Sequence, residues 1–204
     1  MSEIEIRNLT KKIKDRIILN GLNLTFPTHG LFVIEGDNGA GKSTLLGILG
    51  MFDNRFIGMY KYRGLDAAKL SYFSKLKIRK DSICFLAAQG NLFRDLSVID
   101  NLNYVGGSNK SYNFLKDIDF SSRVSGLSSG EEQLVSIARC LKQNKELNLL
   151  DEVTSFLDDE KTEQVMYLLK KMSETRLIIF ASHDERIIPY GDRLLHMERG
   201  HLHD

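Results

Sequence analysis

The chain has 204 residues, 42% hydrophobic and 27% charged, which is the composition of an ordinary globular domain with a sizeable core. Its 28 basic and 27 acidic residues leave a formal net charge of +1, so there is no bulk electrostatic case for a nucleic-acid partner and none is expected. The opening MSEIEIRNLTKKIKD has no apolar signal core, and no window approaches the ~18–20 apolar residues of a membrane span. A cytoplasmic chain that needs a partner for any membrane role is therefore expected.

In chain order, two strands around a turn come first, Glu3–Leu9 and Ile17–Phe26, the second with Leu22, Leu24 and Phe26 alternating. Leu31–Glu35 (LFVIE) reads as a buried parallel strand. A Gly-rich loop and a helix from about Lys42 to Gly50 follow. The basic run Lys75–Lys80 (KLKIRK) reads as a solvated face. Ser82–Ala87 is a strand, and helices are expected near Ser97–Val105, Ser111–Ile118 and Ser129–Lys142. Leu147–Asp151 and Leu177–Ala181 are two more buried strands with a helix near Asp159–Met172 between them, and Arg193–Glu198 is a final edge strand. This alternation predicts an α/β fold with a mostly parallel core sheet. Cys84 and Cys140 are expected to be free buried thiols, and no CxxC or Cys/His metal spacing occurs.

Gly36-Asp37-Asn38-Gly39-Ala40-Gly41-Lys42-Ser43-Thr44 fits G-x-x-x-x-G-K-[ST]. The glycines let backbone N–H groups turn inward on phosphate, and the following helix aims its positive end at the same anion. Lys42 brings a point charge to the β and γ phosphates, and the Ser43 hydroxyl can ligate Mg²⁺. An apolar strand ending in Asp151-Glu152 places two carboxylates where ligands bind in open α/β folds. Asp151 can hold Mg²⁺ through water, and Glu152 can polarise an attacking water as general base. Ser128-Ser129-Gly130 entering a helix offers hydroxyls and backbone N–H groups to a phosphate, although alone it is an ordinary N-cap followed by acids.

Taken together, these motifs resemble the ATP-binding cassette (ABC) ATPase family over essentially the whole chain. Gly36–Thr44 looks like its Walker A loop, Leu127–Glu131 like its signature, Leu147–Glu152 like Walker B and Ser155–Asp158 like the D-loop. Gln89 resembles the Q-loop glutamine, a ligand to Mg²⁺ or water, and His183 the switch histidine, which contacts γ-phosphate and positions Glu152. The resemblance implies a P-loop NTPase fold: a RecA-like core, an antiparallel β subdomain and an inserted helical subdomain near residues 90–126 of one domain spanning 1–204. It implies Mg-ATP bound head to tail between two cassettes, with Ser128, Ser129, Gly130 and Asp158 serving the partner's nucleotide.

Three departures accompany this pattern. Ser129 stands where the signature has its first glycine, and Glu131 where it has glutamine; Glu131 is expected to point away from phosphate. Ile13 stands where the family stacks adenine on an aromatic, with Arg16 nearby, so weak base discrimination is expected. The segment between Gln89 and Leu127 is short for the helical subdomain and suits small exporters. The implied function is ATP hydrolysis by a subunit on the cytoplasmic face of a membrane. It would work with a separate transmembrane permease and a second ABC ATPase, an identical copy or a related one, most naturally in export. The alternative is a soluble ABC ATPase in an assembly such as iron–sulfur cluster biogenesis.

Overall fold

The computed structural model describes residues 2–89, 91–106 and 112–203. Two long antiparallel strands open the chain, β1 (Ser2–Ile13) and β2 (Arg16–Pro27), joined by a tight turn in which Lys14 takes a positive φ of 53°. They run further than their alternation suggested, because each carries register shifts that interrupt the period. β3 (Gly30–Glu35) then feeds the glycine loop and α1 (Lys42–Leu49). Three elements follow that the sequence reading did not separate: β4 (Ile57–Tyr62), β5 (Leu65–Asp66) and α2 (Tyr72–Ser82). β4 buries only Tyr60 and Tyr62, and α2 exposes nearly all of its length, so neither carries a strong apolar period.

β6 (Ile83–Leu86), α3 (Val98–Tyr104), α4 (Ser129–Lys142), β7 (Leu147–Asp151), α5 (Asp159–Ser173), β8 (Leu177–Ser182) and β9 (Arg193–Glu198) fall close to where they were expected. The chain adds β10 (His201–His203). The helix expected over 111–118 is instead a short 3₁₀ turn at Asn113–Leu115, and Ser111 lies outside the described residues. Cys84 on β6 and Cys140 on α4 are joined as a disulfide, with Cα atoms 6.1 Å apart, which corrects the expectation of two free thiols. Packing of α4 against β6 brings the two buried sulfurs together.

Two sheets result. One has the order β2-β1-β4-β5 and is antiparallel; the other has the order β10-β9-β3-β8-β7-β6 and is parallel except for β10. Phe32 and Ile34 point to one apolar layer with α1, β1 and β2, while Leu31 and Val33 point to a second with α4 and α5. The parallel order sets β3, β8 and β7 side by side, and registers Glu35 with Ser182 and Asp151 with Ala181. The ends of these three strands therefore open on one place.

The β9–β10 turn supports the glycine loop from behind. Gly200 N–H donates to the Ala40 carbonyl at 3.0 Å, and Asn20 N–H donates to the Gly200 carbonyl at 2.9 Å. Gly200 has φ +81°, and a Cβ there would lie 2.3 Å from the Ile18 carbonyl oxygen; one on Gly36 (φ +151°) would lie 2.2 Å from that of Met197. Gly200→Ala should therefore cost about 2 kcal/mol or more, which lowers Tm by roughly 4–8 °C for a domain of this size. A thermal melt unchanged within a degree would show that the turn is not pinned.

Candidate functional site

Gly41 caps α1 with φ +115°, so the backbone turns sharply into the helix and its free N–H groups face the cavity mouth. Lys42 is 95% buried, its side-chain exposure being 5%. Its ammonium donates to the carbonyl oxygens of Gly36 at 2.6 Å and Asp37 at 3.3 Å, and pairs with Glu152 Oε1 at 3.2 Å. Lysine, loop and acid are thus already assembled before any anion is considered.

Asp151 ends β7, and its Oδ1 is buried without a partner. Burial raises its pKa, with the Ser43 hydroxyl opposing and the adjacent Glu152 adding to the rise. Glu152 sits one residue beyond the strand in a left-handed conformation, φ +54°, which for a non-glycine costs roughly 1–3 kcal/mol. Its N–H donates to the Ala181 carbonyl at 2.8 Å. On the side chain, Oε2 accepts from Ser182 Oγ at 2.9 Å and lies 3.0 Å from His183 Nδ1. Burial pushes the Glu152 pKa up, but the hydrogen bonds from His183 and Ser182 and the Lys42 charge outweigh it, and the carboxyl is held below its usual range.

Ile13, Arg16, Ile18, Lys42, Ser43, Thr44 and Glu152 line one cavity of about 300 Å³. It continues past Asp37, Asn38 and Gly39 into a second, of about 540 Å³, walled by His196, Glu198 and Arg199. Ile13 is 49% exposed, and among the described residues no Phe, Tyr or Trp lines either cavity. Within one chain the structure thus brings together Ile13, residues 36–44, Asp151, Glu152 and His183.

Gln89, Ser128, Ser129, Gly130 and Asp158 lie elsewhere. Gln89 and Ser129 line a separate cavity of about 630 Å³ with Leu92, Arg94, Gln133 and Phe156. Gly130 packs close under the D-loop, since a Cβ on it would sit 3.0 Å from the Phe156 carbonyl oxygen. Asp158 caps α5 by accepting from Lys161 N–H at 2.7 Å. Ser128 caps α4, and Glu131 turns back onto it, accepting from the Ser128 N–H and hydroxyl, each at 2.8 Å. These bonds hold the Glu131 carboxyl below its usual pKa. A capping box thus draws Glu131 back over the helix N-terminus, onto the signature-like serine.

Sequence reasoning missed Ser182, whose hydroxyl bonds Glu152, and the Thr154–Asp184–Arg186 cluster behind it. The signal available was a run of polar residues, SHDER, directly after an apolar strand.

A model of the ABC transporter family matches residues 19–155. The chain belongs to the ABC transporter family. An uncharacterized ABC transporter ATP-binding protein of Methanocaldococcus jannaschii, MJ0796, is 30% identical over 98% of this chain and 94% of its own length. A dimeric structure of MJ0796 in a post-hydrolysis state with ADP and Pi aligns over 98% of both chains, with TM-score 0.86 and 27% identity. The probable syringafactin export ATP-binding/permease protein of Pseudomonas syringae is 31% identical over 98% of this chain, and the macrolide export ATP-binding/permease protein MacB of Campylobacter jejuni is 30% identical over 98%. The chain spans 33% of the length of each of these two exporters. The ABC chain is accordingly an ATP-binding ATPase domain with the P-loop NTPase fold.

Two outcomes follow from the geometry of this ABC domain. Ser128→Ala removes the α4 cap and should cost about 1 kcal/mol, a Tm drop of roughly 2–4 °C by calorimetry; an unchanged melt would mean that the cap contributes nothing. Because the folded-state pKa of Glu152 is depressed, its stabilising contribution is present above the ordinary glutamate pKa and is lost as pH falls through the lower folded value. Stability of Glu152→Gln should accordingly depend less on pH across the acid range than that of the wild type, and parallel curves in acid melts would contradict the assignment.

Proposed function

We propose that this chain is a single cassette domain, residues 1–204 with a helical insertion near 90–126, that hydrolyses ATP between two cassettes and drives a membrane permease, in export. The observation that carries the hydrolytic reading is the convergence of Lys42, Asp151, Glu152 and His183 at the ends of β3, β7 and β8.

The residues present fit Mg²⁺. Asp151 offers a buried carboxylate oxygen with no protein partner beside the Ser43 hydroxyl, a set of hard oxygen donors, and Gln89 is a further candidate from the neighbouring cavity. When bound there, Mg²⁺ neutralises charge on the β and γ phosphates.

ATP enters with its phosphates on the N–H groups of the glycine loop. The γ-phosphate offers Lys42 a stronger partner than Glu152, so the ammonium moves to the phosphate and frees Oε1. Glu152, still held through Oε2 by Ser182 and His183, accepts a proton from water as its oxygen attacks γ-phosphorus. The bond from γ-phosphorus to the bridging oxygen breaks, leaving ADP and phosphate. His183, 54% exposed at the side chain and 3.0 Å from Glu152, can donate to a γ-phosphate oxygen. The base rests on Ile13 and Arg16.

Ser128, Ser129, Gly130 and Asp158 line no part of the Lys42 cavity, which supports a role toward a second cassette's nucleotide. Export and work with a permease are supported by the names of the two relatives, each an export ATP-binding/permease protein of which this chain spans 33%. Among the described residues no helix is long and apolar enough to cross a membrane.

Glu152→Gln should bind ATP, lose turnover by roughly 10²–10⁴-fold and trap a dimer; unchanged turnover would remove Glu152 as base. Lys42→Ala should weaken ATP binding itself in a direct titration. Mild-detergent isolation of tagged chain from host membranes should recover a multi-span protein at near-equal stoichiometry. Recovery only in the soluble fraction with cytosolic partners would replace the transport reading with the assembly-ATPase alternative.

A further inference from the structure

Arg186 lines none of the three cavities, yet it is bonded to the segment that presents Glu152. It lies in the short 3₁₀ segment Glu185–Tyr190, directly after the switch histidine. Its Nε donates to Asp184 Oδ1 at 2.9 Å and its Nη2 to Asp184 Oδ2 at 2.8 Å, a bidentate pair. The same guanidinium reaches across to the turn after β7, where Nη1 donates to the Leu157 carbonyl at 3.2 Å and Nη2 to that of Thr154 at 3.4 Å. Nη1 also pairs with Asp159 at 2.7 Å, but that side chain is 92% exposed and the pair is heavily screened.

The turn it grips needs holding. Glu152 sits at φ +54°, a conformation that persists in a non-glycine residue only when its surroundings over-determine it. Three links close a ring around that residue. Thr154 Oγ1, fully buried, donates to Asp184 Oδ2 at 2.8 Å. Asp184 N–H donates to Ser182 Oγ at 3.1 Å, and Ser182 Oγ donates to the Glu152 carboxylate at 2.9 Å. Arg186 joins the backbone side of this ring, through the Thr154 and Leu157 carbonyls, to its side-chain side, through Asp184. A planar fork with five donors can do this, whereas a lysine ammonium at the end of a flexible stem cannot match the bidentate carboxylate and both carbonyls together.

We propose that Arg186 is a positioning residue for Glu152: it fixes the 152–157 turn to the end of β8, so that the carboxylate stays aligned between Ser182, His183 and the attacking water. The proposal rests on Glu152 being the base. A displacement of about 1 Å at a reacting group can cost as much as 10²-fold in rate, while phosphate binding by residues 36–44 is left alone.

The test is single-turnover hydrolysis of labelled ATP by the isolated full chain, with a direct ATP titration and a melt for each variant. Arg186→Gln should lower the hydrolysis rate by roughly 10–100-fold, with the ATP dissociation constant within about twofold of wild type. In a Glu152→Gln background the same substitution should lower the residual rate by less than about twofold, because the group it positions is already gone. Arg186→Lys should fold, bind ATP and remain slow; if Arg186→Gln does not fold, Arg186→Lys carries both comparisons. A rate within about threefold of wild type, or an equal loss in both backgrounds, would overturn the proposal. Unchanged hydrolysis in Glu152→Gln alone would instead remove the base assignment, which is a separate failure.

Discussion

A buried ammonium must have a partner, and Lys42 has two kinds: the carbonyl oxygens of its own loop and the carboxylate of Glu152. Much of the site's layout follows from that requirement. The lysine holds the glycine loop closed over its own helix terminus, and it keeps Glu152 facing the loop. A desolvated charge pair of this kind is costly to break unless a better counter-charge arrives. Phosphate is such a counter-charge, so in the proposed reaction its binding and the freeing of Glu152 would be one electrostatic exchange.

The order of strands makes that exchange possible. Lys42, Glu152 and His183 follow three different strands, yet β3, β8 and β7 are neighbours in the sheet. The parallel register brings the loop after β3, the acids at the end of β7 and the histidine after β8 to the same level. The elements that carry Gln89 and Ser128–Gly130 open instead on another cavity, alongside Phe156 of the D-loop. The molecule therefore has two chemically different cavities, one around Lys42 and the glycine loop and one beside a capped helix terminus.

Much of this was legible in the sequence because it depends on strong local signals. LFVIE, LNLLD and LIIFA are dominated by apolar residues, and G-x-x-x-x-G-K-S leaves little choice of loop. The β4–β5 pair and α2 were not legible, since α2 buries only Lys75 and β4 buries one residue in two over a few positions. The N-cap at Ser128 was legible from its residue type, while the closing of Glu131 back onto it is a matter of side-chain geometry. The Cys84–Cys140 pairing is a tertiary matter that spacing alone could not give. Arg186 escaped notice for a related reason: its partners lie 27–32 residues away, or two residues along its own turn.

The β9–β10 turn, clasped between Ala40 and Asn20 with Gly200 tucked against Ile18, has a thermodynamic meaning for ligand capture. A flexible anion-binding loop must surrender its conformational freedom each time a ligand arrives, and that loss is subtracted from affinity. Here the ordering is met during folding, by a hairpin far from the loop in sequence. Affinity for phosphate then reflects charge and hydrogen bonding almost undiluted by loop entropy. Substitutions in the hairpin would surface as a more unfavourable entropy of binding, with its enthalpy little changed.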